Sequence, residues 1–239
     1  MSQRRSVELV QTRALTPSVR AFTWRCVDGA ALPYTPGQWM NFYVPAPDRE
    51  PAWRRAYSIA SAPDPIRPDT FDIAVTHVRG GHASRVLHGL TPGAVLEMDG
   101  AHGFFTRESA RGEPALFVGT GTGVCPLRAM IEEELRADAG PAIELLFGCR
   151  TEEEILYRED FERWARERPR FAWRATLSQP APDWQGARGY VQTHLPEVMR
   201  GPRRHVYVCG LQKMIKEVRR VLKDDLGVER RLIHSERYD

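Results

Sequence analysis

The spacing of apolar residues changes once along this chain of 239 residues, and the change divides it into two parts of different architecture. Up to about residue 108, apolar residues form short β-branched and aromatic runs separated by turn signals such as Pro36-Gly37 and Pro92-Gly93. Beyond a polar stretch from Thr106 to Pro114, short apolar runs alternate with residues at helical spacing. We therefore predict two domains, residues 1–108 and residues 112–239.

The first part reads as a small antiparallel β-domain. It contains six short candidate strands and no long helix, which is typical of a small barrel or sandwich. The candidate strands span residues 6–12, 19–24, 38–44, 56–60, 71–78 and 94–98.

The second part reads as a parallel sheet covered by helices. Apolar residues from Leu127 to Leu135 and from Leu211 to Leu222 recur at helical spacing, and Pro126 is placed as a first helical residue. Strands that alternate with such helices predict a doubly wound α/β domain. The candidate strands span residues 115–118, 143–147, 171–177, 205–209 and 231–233.

Composition excludes several classes of protein. The net charge is only +3, and 31 of the 34 basic residues are arginines scattered among acids, so no basic patch indicates nucleic-acid binding. No apolar stretch approaches the roughly 20 residues of a membrane-spanning helix. No secretory signal follows the basic N-terminus, which favours a cytoplasmic location.

The residues that bind metals in proteins show no ligand spacing here. Cys26, Cys125, Cys149 and Cys209 form no CxxC pair, so we expect reduced thiols, no metal site and no iron–sulfur cluster. The acidic runs 132–134 and 152–154 are interpreted as solvated helix faces or caps.

A glycine-rich turn is the strongest local signal in the second part. Gly119-Thr120-Gly121-Thr122-Gly123 directly follows a candidate strand and precedes a candidate helix. Such a turn lets backbone amides approach a pyrophosphate at the positive end of a helix. The third glycine of a GxGxxG fingerprint would fall at Val124, so a structural tight turn stays open beside nucleotide binding.

Three further segments carry candidate site residues. Ser84 is predicted to cap a short helix after Gly80-Gly81, either as a second anion cradle or as a plain hairpin turn. Strand alternation places Arg55 and Tyr57 on one face and Ser58 on the other. Cys209-Gly210 ends a parallel strand, where α/β sheets bind ligands, although a buried structural cysteine is also expected there.

The order and spacing of these motifs resemble the ferredoxin–NAD(P) reductase family. The resemblance extends over about residues 6–238 and includes a C-terminal Glu236-Arg237-Tyr238. It implies a six-stranded Greek-key β-barrel that binds FAD, followed by a doubly wound NAD(P)-binding domain, with the two cofactors meeting between them. It also implies that electrons pass from NAD(P)H through FAD to a separate ferredoxin or flavodoxin.

The resemblance assigns roles to residues of the barrel. Arg55 would pair with the flavin phosphate, Tyr57 would pack on the isoalloxazine ring, and Ser58 would hydrogen-bond near flavin N5. The remaining flavin contacts would come from Val75 and His77, and the pyrophosphate cradle from Gly81, His82, Ala83 and Ser84.

In the second domain, Gly119, Thr120, Gly121, Thr122 and Gly123 would receive the pyrophosphate of the nicotinamide nucleotide. Arg150 and Ser178 would lie toward its adenosine end, and Gln179 stands where NADP-specific members often have arginine, which favours NADH. The nicotinamide and flavin neighbours would be Cys209, Gly210, Glu236 and Tyr238, and the resemblance makes Ser58, Cys209 and Glu236 the catalytic set.

Two alternatives stay open. The acceptor could be free flavin or an oxygenase component, which would make the chain a flavin reductase or an oxygenase reductase. The chain could also be a non-turnover flavin-binding subunit of a larger complex. Related subunits of that kind carry a C-terminal cysteine cluster, and no cysteine follows Cys209 here.

Overall fold

A computed structural model describes residues 4–46, 52–201 and 204–238. The chain divides into two compact units. Unit 1 takes the described residues within Met1–Thr106 together with Arg128–Glu133, and unit 2 takes those within Arg107–Leu127 and Glu134–Asp239.

Unit 1 is a closed antiparallel barrel, as the sequence predicts. Its strands are β1 (Arg5–Ala14), β2 (Val19–Cys26), β3 (Trp39–Val44), β4 (Trp53–Ser58), β5 (Thr70–Thr76) and β6 (Val95–His102). They lie in the order β4-β3-β6-β1-β2-β5 with every pairing antiparallel. A bridge between Ile59 and Ile73 joins the two outer strands, which removes the open edges.

The barrel is filled by alternate side chains of its strands. Trp24 and Phe42 are fully buried, with ring centroids 5.1 Å apart, and Phe71 follows at 6.2 Å from Phe42. Each such side chain contributes about 1.5–3 kcal/mol by leaving water. Helix α1 (His82–His88) adds Ala83 and Leu87 to the same core.

Unit 2 is built on an all-parallel sheet, which confirms the predicted fold class. Its strands are β7 (Ala115–Thr120), β8 (Ile143–Cys149), β9 (Phe171–Leu177), β10 (Ala187–Arg188), β11 (His205–Leu211) and β12 (Ile233–Tyr238). They lie in the order β10-β9-β8-β7-β11-β12. The central strand β7 is apolar at nearly every position because helices cover both faces of the sheet.

In the part of the chain that the structure describes, four helices flank this sheet, and the sequence analysis did not predict two of them. They are α2 (Val124–Leu135), α3 (Arg158–Glu167), α4 (Val191–Val198) and α5 (Gln212–Arg220). Helix α3 buries only Phe161 and Trp164 in a mostly charged sequence. In α4 the apolar residues Val191, Leu195 and Val198 recur at helical spacing, but Pro196 among them disfavours a helix. No helix in the described residues has the length and apolar character needed to cross a bilayer.

Several predicted boundaries are wrong by two residues or more, and two of them lie beside 3-10 turns. Helix α2 starts at Val124, and not at Pro126, because a tight 3-10 turn over Gly121–Gly123 leads straight into it. Strand β12 starts at Ile233, and not at 231, because Arg230–Leu232 form another 3-10 turn. Further 3-10 turns occur at Glu108–Ala110 and Glu152–Glu154, and a π turn occurs at Val221–Asp225.

The acidic run 132–134 is not a solvated face. In unit 2, Glu134 is buried and its Oε1 accepts a hydrogen bond of 2.9 Å from Nε of the buried Arg107. In unit 1, Oε2 of Glu132 accepts a 2.8 Å bond from the amide of Ala62. Arg107 and Ala62 are distant in sequence from the glutamates they contact, so the acidic run alone could not indicate these hydrogen bonds.

The Arg107–Glu134 pair generates a prediction for stability. Glu134→Ala leaves an uncompensated buried guanidinium, and we expect it to lower the free energy of unfolding by about 3–5 kcal/mol. The matched control is Glu162→Ala, which breaks an exposed pair with Arg158 and should cost under about 1 kcal/mol. Urea unfolding followed by tryptophan fluorescence measures both, and equal losses would contradict the buried-pair interpretation.

Candidate functional site

The parallel sheet of unit 2 reverses its strand order between β7 and β11. From β7 the chain moves outward through β8 to β9, and it then returns to the other side of β7 as β11 and β12. Open α/β sheets bind ligands at the carboxyl ends of strands at such a reversal. Gly119 and Cys209 are direct neighbours in the β7–β11 ladder, so the glycine turn and Cys209-Gly210 come together there.

The glycines of this edge allow a close approach of backbones. A Cβ atom on Gly123 would lie 2.4 Å from the carbonyl oxygen of Cys209, and one on Gly210 would lie 2.3 Å from Oγ1 of Thr120. Gly121 has a φ of +52°, a left-handed conformation that glycine adopts without strain. Glycine at these positions is therefore required by geometry.

Two buried polar atoms at the same edge have no hydrogen-bond partner among the described residues. They are Oγ1 of Thr120, at the end of β7, and Oε2 of Glu236, near the end of β12. Unpaired buried polar atoms are rare in folded proteins, and a bound polar ligand is one way to satisfy them. The edge thus fits a ligand that offers hydrogen-bonding groups to both strands.

Cys209 and Glu236 are paired in register on β11 and β12. Burial raises the pKa of the Cys209 thiol well above its ordinary value, and the charges of Glu236 and Cys125 raise it further. A side-chain hydrogen bond with Tyr238 lowers the pKa, but by less. The thiol is therefore neutral and is not a thiolate nucleophile. Burial also raises the pKa of the Glu236 carboxyl to about 7, so this group is partly protonated near neutral pH.

The ends of β8 and β9 bring Arg150 and Ser178 together. The amide of Ser178 donates to the carbonyl of Cys149 at 3.0 Å, and the amide of Gln179 donates to the carbonyl of Arg150 at 2.8 Å. Oε2 of Glu154 accepts a 3.0 Å bond from the amide of Arg150. This carboxylate was not expected beside Arg150, because only the 3-10 turn at Glu152–Glu154 brings it back.

In unit 1, strand β4 presents three site candidates in different environments. The exposed Arg55 guanidinium lies 4.5 Å from the ring centroid of Trp53 and donates to the carbonyl of Arg54. Tyr57 is half-buried against Phe42, and burial raises its pKa to about 12, so its hydroxyl stays protonated. Ser58 is buried at the end of the strand.

Ser84 does not cap helix α1, contrary to the prediction. The N-cap is Gly81, and Ser84 is the third residue of the helix. Its Oγ accepts a 3.0 Å bond from the amide of Val78, so the hydroxyl fixes the preceding turn instead. A Cβ atom on Gly81 would lie 2.8 Å from that Oγ, which explains the glycine.

The other barrel candidates divide between core and surface. The Val75 side chain belongs to the barrel core, and its carbonyl accepts a 2.9 Å bond from Nε2 of His88. His77 is exposed, with its ring 5.2 Å from that of His88. Nε2 of His82 donates to the carbonyl of Pro45, and its ring stacks on Trp53 at 6.2 Å. Sequence reasoning gave Trp53 no role, although its alternation with Arg55 could have suggested one.

Comparison with known proteins decides the family. The oxidoreductase FAD-binding domain matches residues 6–106, and the oxidoreductase NAD-binding domain matches residues 117–220. Ferredoxin–NADP reductase B of Sorangium cellulosum is 47% identical over 238 residues, which cover 97% of this chain and 96% of that protein. The chain belongs to the ferredoxin–NAD(P) reductase family. It is an oxidoreductase with an FAD-binding and an NAD(P)-binding domain.

Two more distant matches differ in what they share with this chain. One component of the Na(+)-translocating NADH-quinone reductase of Neisseria meningitidis is 33% identical over 73% of this chain, which spans about half (46%) of that component. A ferredoxin NADP+ reductase from Neisseria gonorrhoeae, solved with bound FAD and NADP, superposes with a TM-score of 0.82 over 99% of both chains at 17% identity. At this level of identity, the superposition shows a shared fold and nothing more.

The close approach at Gly123 generates a prediction. Gly123→Ala places a methyl group against the Cys209 carbonyl, so we expect the glycine turn of this reductase to move away from β11. The Kd for NAD(P)H should rise at least about tenfold, the effect of losing 1.4 kcal/mol of binding free energy.

The control is Gly89→Ala, whose Cβ atom meets carbonyl oxygens only at 3.4 and 3.5 Å. Titration of both variants with NADH and NADPH measures the affinities. An unchanged Kd for Gly123→Ala would exclude this turn from nucleotide binding.

Proposed function

We propose that this chain oxidises NAD(P)H through bound FAD and passes single electrons to a separate small carrier of the ferredoxin or flavodoxin class. The observation that carries the proposal is the carboxyl edge of β7, β11 and β12, where two buried polar atoms and two close-approach glycines meet. The full-length relative at 47% identity, named a ferredoxin–NADP reductase, supports ferredoxin as the carrier. A cytoplasmic location belongs to the same proposal.

Residues of unit 1 fit the binding of FAD. The exposed Arg55 guanidinium suits a flavin phosphate, because its hydrogen bond to a neighbouring carbonyl leaves further N–H donors of the planar fork facing solvent. The turn at Gly81–Ser84 suits the pyrophosphate. Glycine keeps this turn tight, because a Cβ atom at Gly81 would lie only 2.8 Å from Oγ of Ser84. Tyr57 offers a neutral ring to the isoalloxazine, Ser58 would face flavin N5, and His77 and the backbone of Val75 would complete the contact.

FAD, when bound, accepts a hydride from the nicotinamide and can release its electrons one at a time. The chain's contribution is mainly to position the reactants, because hydride transfer needs the reacting atoms at roughly 3–3.5 Å in the correct orientation. Cys209 is small, neutral and buried, so it can border that contact without reacting.

Residues of unit 2 would hold the nicotinamide nucleotide. We assign its pyrophosphate to Gly119–Gly123, where the orphaned hydroxyl of Thr120 can donate to it. Glu236 would lie at the nicotinamide ring beside its register neighbour Cys209, and Gly210 would follow next to it, where the close approach of Thr120 and Met214 leaves no room for a larger residue. Tyr238, whose side chain hydrogen-bonds with Cys209, would lie at the same end of the nucleotide.

The ends of β8 and β9 support NADH as the favoured donor within this proposal. Glu154 puts a negative charge beside Arg150, where a ribose 2′-phosphate would arrive at the adenosine end. Gln179, next to Ser178, supplies no positive charge to offset it. The exposed Arg150 guanidinium still offers one cation to a nucleotide phosphate.

Anaerobic stopped-flow reduction tests the proposal directly. We expect the purified protein to be yellow, and its flavin absorption to bleach faster with NADH than with NADPH at equal concentration. Addition of an oxidised ferredoxin or flavodoxin should then restore the flavin absorption. A colourless protein would refute FAD binding, while reoxidation by free flavin alone would make the chain a flavin reductase.

The raised pKa of Glu236 predicts how the reaction depends on pH. Departure of a hydride leaves positive charge on the nicotinamide ring, and the ionised carboxylate stabilises that charge. The rate of flavin reduction should therefore rise between about pH 6 and pH 8 with an apparent pKa of about 7.

Glu236→Gln is the matched variant, because its neutral amide has the shape of the protonated acid. We expect it to react at the low-pH rate of the wild type and to show no titration in this range. If the variant kept the wild-type pH profile, another group would be responsible.

A further inference from the structure

Strand β12, which carries Glu236, lies at the edge of its sheet. It is the last strand in the described order and pairs there with β11. An edge strand leaves one row of its backbone N–H and C=O groups without ladder partners. Side-chain contacts beside Glu236 therefore matter more for its position than they would on a central strand.

One such contact joins two histidines. Nε2 of His234 on β12 lies 2.9 Å from Nδ1 of His205 on β11. Nε2 of His205 lies 3.1 Å from Oε2 of Glu113, and an ionised carboxylate can only accept a hydrogen bond. Neutral His205 therefore donates from Nε2 and accepts at Nδ1, so His234 is the donor of the histidine pair.

Ring packing holds His234 at the same place. Its ring lies 4.6 Å from that of Tyr207, its register neighbour on β11, with the two planes 13° apart. The ring of Tyr207 stacks in turn on that of Phe117, on β7, at 5.6 Å. His234 is thus the outer member of a row of rings that crosses three strands and ties the edge strand to the middle of the sheet.

The histidine contact lies directly beside the proposed nicotinamide end. Side chains alternate along a strand, so His234 and Glu236 lie on the same face of β12. His234 is paired in register with Tyr207, and Glu236 is paired with Cys209. The two pairs are therefore consecutive on one face, and a displacement of β12 at His234 would also move Glu236.

We propose that His234 is a positioning residue, whose hydrogen bond to His205 holds β12 in place and keeps Glu236 buried beside Cys209. The inference rests on the proposed function, which places Glu236 at the nicotinamide ring. Without the bond, β12 separates from β11 more often and water reaches the carboxyl group.

Acid should loosen this contact, because a proton on His234 puts a positive charge in a half-buried site beside His205 and Arg107. Burial lowers the pKa of His234, and the charges of His205 and Arg107 lower it further. The contribution of neutral His234 to stability is complete above the ordinary histidine pKa of about 6.5, and it is lost as the pH falls through the lowered value. The charged or titratable groups around the pair are Glu113, Tyr207, Arg107 with its partner Glu134 on α2, and, on the other face of β12, Arg219 of α5 through Ser235.

The test uses the full-length holoprotein and two variants of His234. His234→Leu removes the donor, whereas His234→Gln replaces it with an amide N–H of similar reach. The control is His194→Leu, which removes a half-buried histidine of α4 that lies 2.9 Å from Oγ1 of Thr176, on the other side of the sheet order from β12. We expect the control to lower stability without moving Glu236.

Hydrogen–deuterium exchange of peptides that cover Ile233–Tyr238 measures how firmly β12 is held. At pH 7.5 we expect these amides to exchange about three- to tenfold faster in His234→Leu than in the wild type, which is the effect of one net hydrogen bond. His234→Gln should stay within about twofold of the wild type. In the wild type, protection corrected for the intrinsic exchange rate should fall below about pH 6.5, and in His234→Gln it should not.

The carboxyl group of Glu236 reports whether the position of the strand matters to the site. Its pKa can be read from the carboxyl ¹³C signal of glutamate-labelled protein, which Glu236→Gln identifies by its loss. Burial raises this pKa to about 7, so entry of water in His234→Leu should lower it and raise the acid dissociation constant at least about tenfold. The pH profile of flavin reduction should move in the same direction.

The outcomes separate this inference from the proposed function. Unchanged exchange of β12 in His234→Leu, or faster exchange with an unchanged pKa of Glu236, would overturn the positioning role. Equal changes in His194→Leu would overturn it too, by showing a general loss of stability, and a His234→Gln variant that behaves like His234→Leu would overturn the hydrogen bond as the cause. A wild type whose flavin is not reduced by NADH or NADPH would overturn the proposed function, while the exchange and NMR measurements would still decide whether His234 holds Glu236.

Discussion

The parallel pairing of β7 with β11 is the interaction on which the site of unit 2 depends. It joins residues about ninety positions apart and sets the glycine turn against the Cys209 carbonyl, where a single added carbon atom would clash. The strand order reverses at this pair, and open α/β sheets bind ligands at the carboxyl ends of strands at such a reversal. The backbone pairing therefore decides which side chains of β7, β11 and β12 lie side by side at this edge.

The electrostatics of the edge are governed by exclusion of water. Cys209 and Glu236 have pKa values displaced in the same direction, because burial disfavours the charged form of each. The carboxyl is left with an orphaned oxygen, and Thr120 nearby has an orphaned hydroxyl. A folded chain tolerates such atoms when a ligand satisfies them, so the apparent defects of the protein alone are consistent with a nucleotide-binding edge.

The sequence predicts most of the fold because its apolar periods are distinct. Strand β9 is predicted to the residue, and the barrel strands are predicted to within a few positions. Helices α3 and α4 escape because one is mostly charged and the other contains proline. Ser84 is misplaced as a cap because its hydroxyl accepts from the amide of Val78, six residues earlier, and so fixes the turn before the helix. Glu134, Glu154 and Trp53 acquire their partners only after folding.

The buried thiol of Cys209 has a consequence for how this reductase survives its own chemistry. Peroxide and electrophiles attack the thiolate, and oxidation of cysteine follows thiolate character and exposure. Cys209 has neither, since it is fully buried and its pKa lies well above the ordinary value. Burial also raises the pKa of the more exposed Cys149 to about 12, so the thiols at the ends of β8 and β11 both stay protonated and neither presents the thiolate that oxidants attack.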